Sequence, residues 1–393
     1  MGDSIIMIEV LHKIDCCGCE ACVQICPVPC INLSSDEEGF FYPKVDLDKC
    51  VDCEMCVDVC PVIHPREPVV PLAKYAAMNL NEPIRLESSS GGMFHALAQK
   101  VIEQGGVVFG ARFAEDWSVV HDYTETLEGI KAFMGSKYVQ SNINKGFIVA
   151  EKFLKEGRLV LFTATHCQIA GLRNFLGRDY ENLLSVDIIC HGVPSEKIWK
   201  KYLTEVAPSE KVTSVQFRSK KEEGWGRYHI NIDTETRHHS SLYKENPYQK
   251  ALIQNLSLRP SCARCCAKNG NSGSDLLLGD YWGVRQMFPE MDDDKGTSVV
   301  VAFTAKGLDF FNSLHLRYQI IEMKEGERIK LNSVIMHLNR DRFFSSEDSI
   351  QETVEELCKE SFIVRIKSGI VELLLKLIGF NTRQRIKRFI HLK

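Results

Sequence analysis

The cysteines near the start of the chain could do the first chemistry. Cys16, Cys19 and Cys22 follow one another with two residues between them, Cys26 comes after three more, and Pro27 closes the run. The pattern returns as Cys50, Cys53, Cys56 and Cys60, closed by Pro61. Three cysteines at this spacing let a tight turn wrap three corners of a [4Fe–4S] cubane. Where the run occurs twice, the fourth cysteine of each reaches across to the other cluster. The expected ligands are Cys16, Cys19, Cys22 and Cys60 for one cubane, and Cys50, Cys53, Cys56 and Cys26 for the other. Each closing proline has no amide hydrogen to donate and turns the chain away. Zinc usually takes paired Cys-x2-Cys ligands, not runs of four. Cys17 and Cys30 lie outside the pattern and read as spare thiols. The chemistry expected here is one-electron transfer.

Further along, Ser88-Ser89-Ser90-Gly91-Gly92 stands just before a helical pattern. Helix starts bind anions through free N–H groups, and glycines allow close approach; a serine-capped flexible loop is the plainer reading. Gly135-Ser136-Lys137-Tyr138 sets a cation beside an aromatic ring, suited to a phosphate and a stacked ring, or to a solvated lysine and a core tyrosine. Thr163-Ala164-Thr165-His166-Cys167-Gln168 lies between a strand and a helix, where α/β sheets bind ligands. Cys190-His191-Gly192 also follows a strand, and Cys262 and Cys265 form a Cys-x2-Cys pair ahead of Gly279-Asp280-Tyr281-Trp282-Gly283. Cys167, Cys190, Cys262 and Cys265 could hold a third cubane, a zinc ion, or simply be core residues. His166 and His191 flank two of them, as hydrogen-bond donors to a cofactor or as loop caps.

The elements that must position these residues follow from periodicity. The prolines at 61, 65, 68 and 71 read as a stiff, extended linker after a small cysteine-bound module. Helical patterns at 92–104, 145–155, 167–176 and 196–206 alternate with strand-like runs at 106–111, 159–163 and 183–189, the signature of helices packed on a sheet. Residues 212–218 and 228–234 read as an antiparallel pair, and 276–278 and 298–303 as buried strands. The fold class expected is mixed α/β and α+β. It consists of a bacterial-type dicluster ferredoxin domain at 1–66, a larger α/β flavin-binding domain at 74–345 and a helical tail at 346–393.

Taken together, these motifs resemble the coenzyme F420 hydrogenase/dehydrogenase beta-subunit family, in the version with an N-terminal dicluster ferredoxin module. The two cysteine runs, Ser90-Gly91-Gly92, Ser136-Lys137-Tyr138, Cys167-Gln168-Ile169-Ala170-Gly171-Leu172, Cys190-His191-Gly192, Cys262-x2-Cys265 and Gly279-Asp280-Tyr281-Trp282-Gly283 carry the likeness over roughly residues 1–345. The resemblance implies an FAD beside an iron–sulfur cluster, with electrons passing between coenzyme F420 and partner redox centres. Related members reduce a chlorophyll side group or have unknown substrates near polysaccharide-synthesis genes. On this likeness Ser90, Gly91, Gly92, Lys137, Tyr138, Thr165, Gln168 and Asp280 are the expected cofactor-binding residues. One departure stands out: the family loop Gly-Thr-Pro-Cys-Gln is here Ala164-Thr165-His166-Cys167-Gln168. Chemistry asks for the same cofactor, since clusters carry single electrons, hydride carriers exchange pairs, and a flavin does both.

Composition sets the frame. The 393 residues are 44% hydrophobic and 25% charged, enough for two or three packed domains and too apolar for a disordered chain. A net charge of −4 gives no reason to expect nucleic acid. Sixteen cysteines point to a reducing compartment, and Asp3, Glu9 and Lys13 interrupt any leader-like start, so a cytoplasmic location is expected. The expected partners are a redox protein or complex and a small-molecule hydride donor or acceptor. The stretch 368–380, followed by Arg383, Arg385, Lys387, Arg388 and Lys393, is either a docked helix or a peripheral contact with an anionic membrane surface. The function expected is an iron–sulfur flavoprotein oxidoreductase. Its alternatives are a ferredoxin-dependent reductase of another substrate and a non-catalytic electron-transfer subunit.

Overall fold

The computed structural model describes residues 7–359. The small N-terminal unit contains α1 (Ala21–Ile25), the hairpin strands β1 (Ile31–Ser35) and β2 (Phe41–Val45), and α2 (Met55–Asp58). Ile31 pairs with Val45 and Ser35 with Phe41 in an antiparallel register. Its core is built from Ile8, Cys30, Ile31, Cys56 and Val57, with little apolar mass beyond the cysteines. A unit this small buries little apolar surface of its own.

The larger unit opens with β3 (Ala73–Asn79), α3 (Glu82–Glu87) and α4 (Met93–Glu103). It continues with β4 (Val107–Phe113), β5 (Val119–Thr124), β6 (Ser141–Asn142), α5 (Gly146–Lys155), β7 (Val160–Thr165), α6 (His166–Leu176), β8 (Leu183–Ile188) and α7 (Glu196–Val206). Then come β9 (Val212–Ser219), β10 (His229–Thr234), β11 (His238–Leu242), α8 (Pro247–Ile253), β12 (Leu276–Asp280), α9 (Val284–Met287), β13 (Ser298–Ala302), α10 (Ala305–Asn312), β14 (Leu316–Ile320) and α11 (Arg340–Ser345).

Nine strands form one sheet in the order β14-β3-β13-β12-β8-β7-β4-β5-β6. Its centre, β12-β8-β7-β4, is parallel. These strands are buried on both faces, so β7 reads Val160-Leu161-Phe162 without alternation, as a covered parallel strand should. Helix α4 turns Met93, Leu97, Ala98 and Val101 onto one face of the sheet, the spacing of a helical stripe. Helices α5 and α6 cover the other face, with Phe147, Ala150, Ile169 and Leu172. The strands β11-β10-β9 form a separate antiparallel sheet packed under α7 and α8.

The proline stretch lies extended along the larger unit and is pinned there. Val69 N donates to Gly270 O at 3.1 Å and Leu72 N to Ala302 O at 2.8 Å. The expected tail enters the core at its start. Residues 350–359 are helical, and Ile350, Val354 and Leu357 pack with Trp199 and Tyr202. The apolar and basic stretch at 362–393 lies outside the described residues. Among the described residues, no helix is long and apolar enough to cross a membrane.

Candidate functional site

The first cysteine set is assembled where the small unit meets the large one. Glu20 follows Cys19 in the left-handed region, at φ 62°, and opens α1. Its carboxylate accepts the N–H groups of Ile143 and Asn144, both at 3.0 Å, just before α5, and burial pushes its pKa up to about 7. Gln24 Oε1 accepts from Phe147 N at 2.9 Å in the first turn of α5. A Cβ on Gly171 would lie 3.0 Å from the Cys19 side chain, so a glycine in α6 is what lets the helix approach the thiol. Burial raises the pKa of the Cys22 thiol far above its ordinary value, with Cys19, Cys16, Cys60 and, from the other expected set, Cys56 acting in the same direction. Cys16, Cys19, Cys22 and Cys60 are the residues the spacing pairs across the two runs. Burial likewise pushes Cys60 up to about 11, so loading the set with metal must displace protons.

Arg259 lies fully buried against this set. Its Nε donates to Cys16 O at 2.8 Å, Nη1 to Gln140 Oε1 at 3.1 Å, and Nη2 to Phe41 O at 2.9 Å and Cys16 Sγ at 3.5 Å. The guanidinium also stands 4.3 Å over the Tyr42 ring.

The second set surrounds a small cavity lined by Cys26, Cys50, Cys53 and Cys56, with Cys30, Val45 and Val51. Burial raises the Cys56 thiol, and Ile8 N donates to its sulfur at 3.3 Å. Cys26 and Cys30 lie 3.4 Å apart, which places Cys30 at the edge of the set.

The third set gathers at the carboxyl ends of parallel strands. Cys167 is the second residue of α6, directly after β7, and Cys190 follows β8. Val193 N donates to Cys262 Sγ at 3.4 Å, and Arg259 N to Val193 O at 2.9 Å, which ties the Cys190 loop to the Cys262 loop. Burial drives the Cys190 thiol well upward, with Cys262, Cys167 and Cys265 adding to it. Cys17 lies between the first and third sets, within hydrogen-bonding reach of Cys167, Cys19 and Cys266. Its thiol bond holds Cys167 down at about 6. Among the described residues, no three Cys, His or carboxylate side chains converge as a single metal ion requires. A cubane spreads its ligands around a larger cage.

The flavin candidates divide into two groups. Ser89 Oγ accepts from Ser136 N at 2.7 Å, which joins the Ser88–Gly92 loop to the Gly135–Tyr138 loop. Ser90 Oγ donates to Thr297 O at 3.1 Å, and Gly91 N to Ser298 Oγ at 3.0 Å. Lys220 Nζ reaches Arg85 O and Ser90 O at 2.8 Å and Lys295 O at 2.6 Å. Burial, then the neighbouring Arg218, bring the Lys220 pKa down to about 7. Arg218 is paired with Asp280 and stands 4.5 Å over Tyr228 and 5.3 Å over Trp282. Trp282 is half-exposed and stacks on Trp225 at 4.6 Å, and Trp225 Nε1 donates to Asp280 at 3.1 Å. Arg218 Nε and Nη2 are buried, and among the described residues neither has a hydrogen-bond partner. Two unpaired guanidinium donors beside a second cation and an exposed indole fit an anionic, ring-bearing ligand.

Lys137, Thr165 and Gln168 are engaged otherwise. Lys137 Nζ donates to Ala132 O at 3.0 Å and Met134 O at 2.8 Å, and burial lowers its pKa to about 7. Thr165 and Gln168 form a capping box on α6, and the Gln168 amide holds Ser141 O at 3.1 Å. His166 is buried, with Nδ1 2.6 Å from Asp187, and Ser272 and Ser274 donate to the same carboxylate. His191 reaches Asn255 at 2.6 Å. Spacing alone missed Arg218, Lys220, Trp225 and Arg259. Each is a lone residue in sequence, and only the folded chain brings them together.

Two known families match parts of the chain. Residues 157–328 match the family described as the C terminus of the coenzyme F420 hydrogenase/dehydrogenase beta subunit, and residues 15–63 match the 4Fe-4S dicluster domain. Among solved structures, the chain is similar to one from the xenon-derivatized F420-reducing [NiFe] hydrogenase complex of Methanosarcina barkeri. The likeness covers 75% of this chain and 92% of that one, at 17% identity and a TM-score of 0.44. No curated protein matches the chain.

Proposed function

We propose that this chain, a member of the coenzyme F420 hydrogenase/dehydrogenase beta-subunit family carrying a 4Fe-4S dicluster domain, is an iron–sulfur flavoprotein oxidoreductase. In this reading the first set, Cys16, Cys19, Cys22 and Cys60, and the second, Cys50, Cys53, Cys56 and Cys26, each hold a cubane. Cys167, Cys190, Cys262 and Cys265 hold a third. An FAD would supply the exchange between single electrons from the clusters and a hydride from F420 or a similar organic carrier. The chain's own residues have separate tasks. Arg218 binds the anionic part of the cofactor or substrate through its unpaired donors, Lys220 adds charge beside it while bracing the Ser90 loop, Asp280 orients Arg218, and Trp282 covers the ring. Glu20, Gln24 and Arg259 fix the dicluster domain against α5 and the third set.

One observation carries the reading: Cys17 places the first cysteine set directly against Cys167 of the large domain. Electron tunnelling needs such adjacency, and a domain used only for storage or folding would not.

The test is anaerobic purification, with iron and flavin measured on the released cofactors. F420H2, NADH and NADPH are then each added while the flavin band is followed. About twelve irons, one FAD and bleaching by one of the three donors are expected. Full iron without flavin, and no uptake of added FAD, would leave an electron-transfer subunit only.

A further inference from the structure

The two halves of the dicluster domain repeat one geometry and present it to different surroundings. Glu20 and Glu54 each follow the second cysteine of a run, each is left-handed, at φ 62° and 60°, and each opens a short helix. Cys17 corresponds to Val51 and Ala21 to Met55. In the first half this face is covered. Cys17 is 9%, Glu20 8% and Ala21 0% exposed, and the start of α5 receives the Glu20 carboxylate. In the second half the same face is open. Val51 is 58% exposed, Met55 37% and neighbouring Leu47 67%, and Cys53 and Glu54 are exposed with them. Lys49 is taken up by Asp46 at 2.6 Å, which leaves Asp48, Asp52, Glu54 and Asp58 as surface carboxylates around the apolar residues.

We propose that the open face around Cys53, with Val51, Met55 and Leu47 ringed by Asp48, Asp52 and Glu54, is the docking surface for a separate one-electron carrier protein. The partner presents its redox group in an apolar patch rimmed by lysines, arginines or helix N-termini. This rests on the second set holding a cubane. The internal equivalence supplies the argument. One half meets its electron partner through this face inside the chain, and its Glu receives backbone N–H donors. The other half offers the same acceptor-bearing face to the outside. Apolar contact brings the partner close to Cys53, while the carboxylates set orientation and encounter rate. One electron crosses per encounter. The reduced cubane loses it, the partner's oxidised group gains it, and no proton or bond moves.

Ferricytochrome c, a basic one-electron acceptor, and ferricyanide, an anionic one, serve as probes against the full chain. The protein is reduced anaerobically, freed of reductant and followed by stopped flow. The cytochrome rate should fall about tenfold from low to high salt, as steered encounters do, while the ferricyanide rate stays level or rises. Asp52→Asn with Glu54→Gln should lower the low-salt cytochrome rate by about tenfold with iron content unchanged. Asparagine tolerates the left-handed backbone at position 52, φ 50°. Glu103→Gln with Asp309→Asn, far from the face, should change nothing. A salt-independent cytochrome rate would overturn the proposal, as would an equal loss in the control pair. A rate that falls as the protein self-associates would give the face to a second copy instead. If the chain binds too little iron for the second cubane, the functional reading itself fails. Full iron, fast transfer to ferricyanide and no charge effect would sink the docking surface alone.

Discussion

The Arg259 guanidinium stands 3.5 Å from the Cys16 sulfur across 243 residues of sequence, and none of its surface reaches solvent. It is at once a strut and a charge. Its donors hold Cys16 O and Phe41 O of the dicluster domain and Gln140 Oε1 of the large one. Were Cys16 to hold a cluster, this buried charge would lower the cost of adding an electron to it.

Arg259→Ala should therefore lower the reduction potential of the cubanes proposed beside it, those of Cys16 and of Cys262, and leave that of Cys50, Cys53 and Cys56 in place, with Arg259→Lys intermediate. A redox titration followed by EPR separates the shifted signals from the unshifted one. The alanine variant should also lose about 3 kcal/mol of stability, since several buried acceptors lose a charged donor. Equal potentials in wild type and variant would leave Arg259 as a strut only.

The third cysteine set makes its own prediction. Cys190→Ser with Cys262→Ser should reduce bound iron by about four per chain while the N-terminal clusters keep their EPR signals. An unchanged iron count would return these thiols to the core, where Cys190 and Cys262 already sit among buried neighbours.

The cysteine runs were legible because ligand spacing around a cubane is fixed by local geometry. The parallel strands β7 and β8 were legible because burial on both faces leaves unbroken apolar runs. The cradle was not. Arg218 closes a strand whose exposed half carries no unusual pattern, and Lys220 becomes a site residue only because the Ser88–Gly92 loop folds over it. Cys17 read as a spare thiol, yet it stands between two cysteine sets, since sequence spacing says nothing about contacts 150 residues away. Edge strands such as β14, with Arg317, Tyr318 and Gln319 exposed, show little hydrophobic periodicity to read.

Docking of the dicluster domain also rests on Glu38 and Arg340. The pair is bidentate, 2.5 Å on each arm, and each side chain is 9% exposed. Removing one partner of a buried pair leaves the other charge stranded, at a cost of about 3–5 kcal/mol. Arg340→Ala should show that loss in denaturant unfolding and should expose the 61–72 segment to protease. A loss under about 1 kcal/mol, with protection retained, would mean Glu20, Gln24 and Arg259 suffice for docking.

The site around Arg218 and Lys220 should respond to pH. Burial and Arg218 bring the Lys220 pKa from 10.5 to about 7. Between those values the unfolded chain holds a proton that the folded chain has released, so stability should rise with pH from about 7 to about 10.5. Anion binding runs the other way. Below about pH 7 the ammonium is restored next to the two unpaired donors of Arg218, and the site gains a charge that an anion neutralises. FAD or inorganic pyrophosphate should therefore bind more tightly at pH 6 than at pH 8, by at most about tenfold per pH unit for one coupled proton. Lys220→Met should flatten that dependence, and Arg218→Met should weaken binding at every pH. Fluorescence titration with FAD at three pH values measures both. Affinity that ignores pH in the unaltered protein would mean Lys220 stays charged throughout and only braces the Ser90 loop. A slope that survives Lys220→Met would move the proton to Lys137, whose burial brings its pKa to the same range.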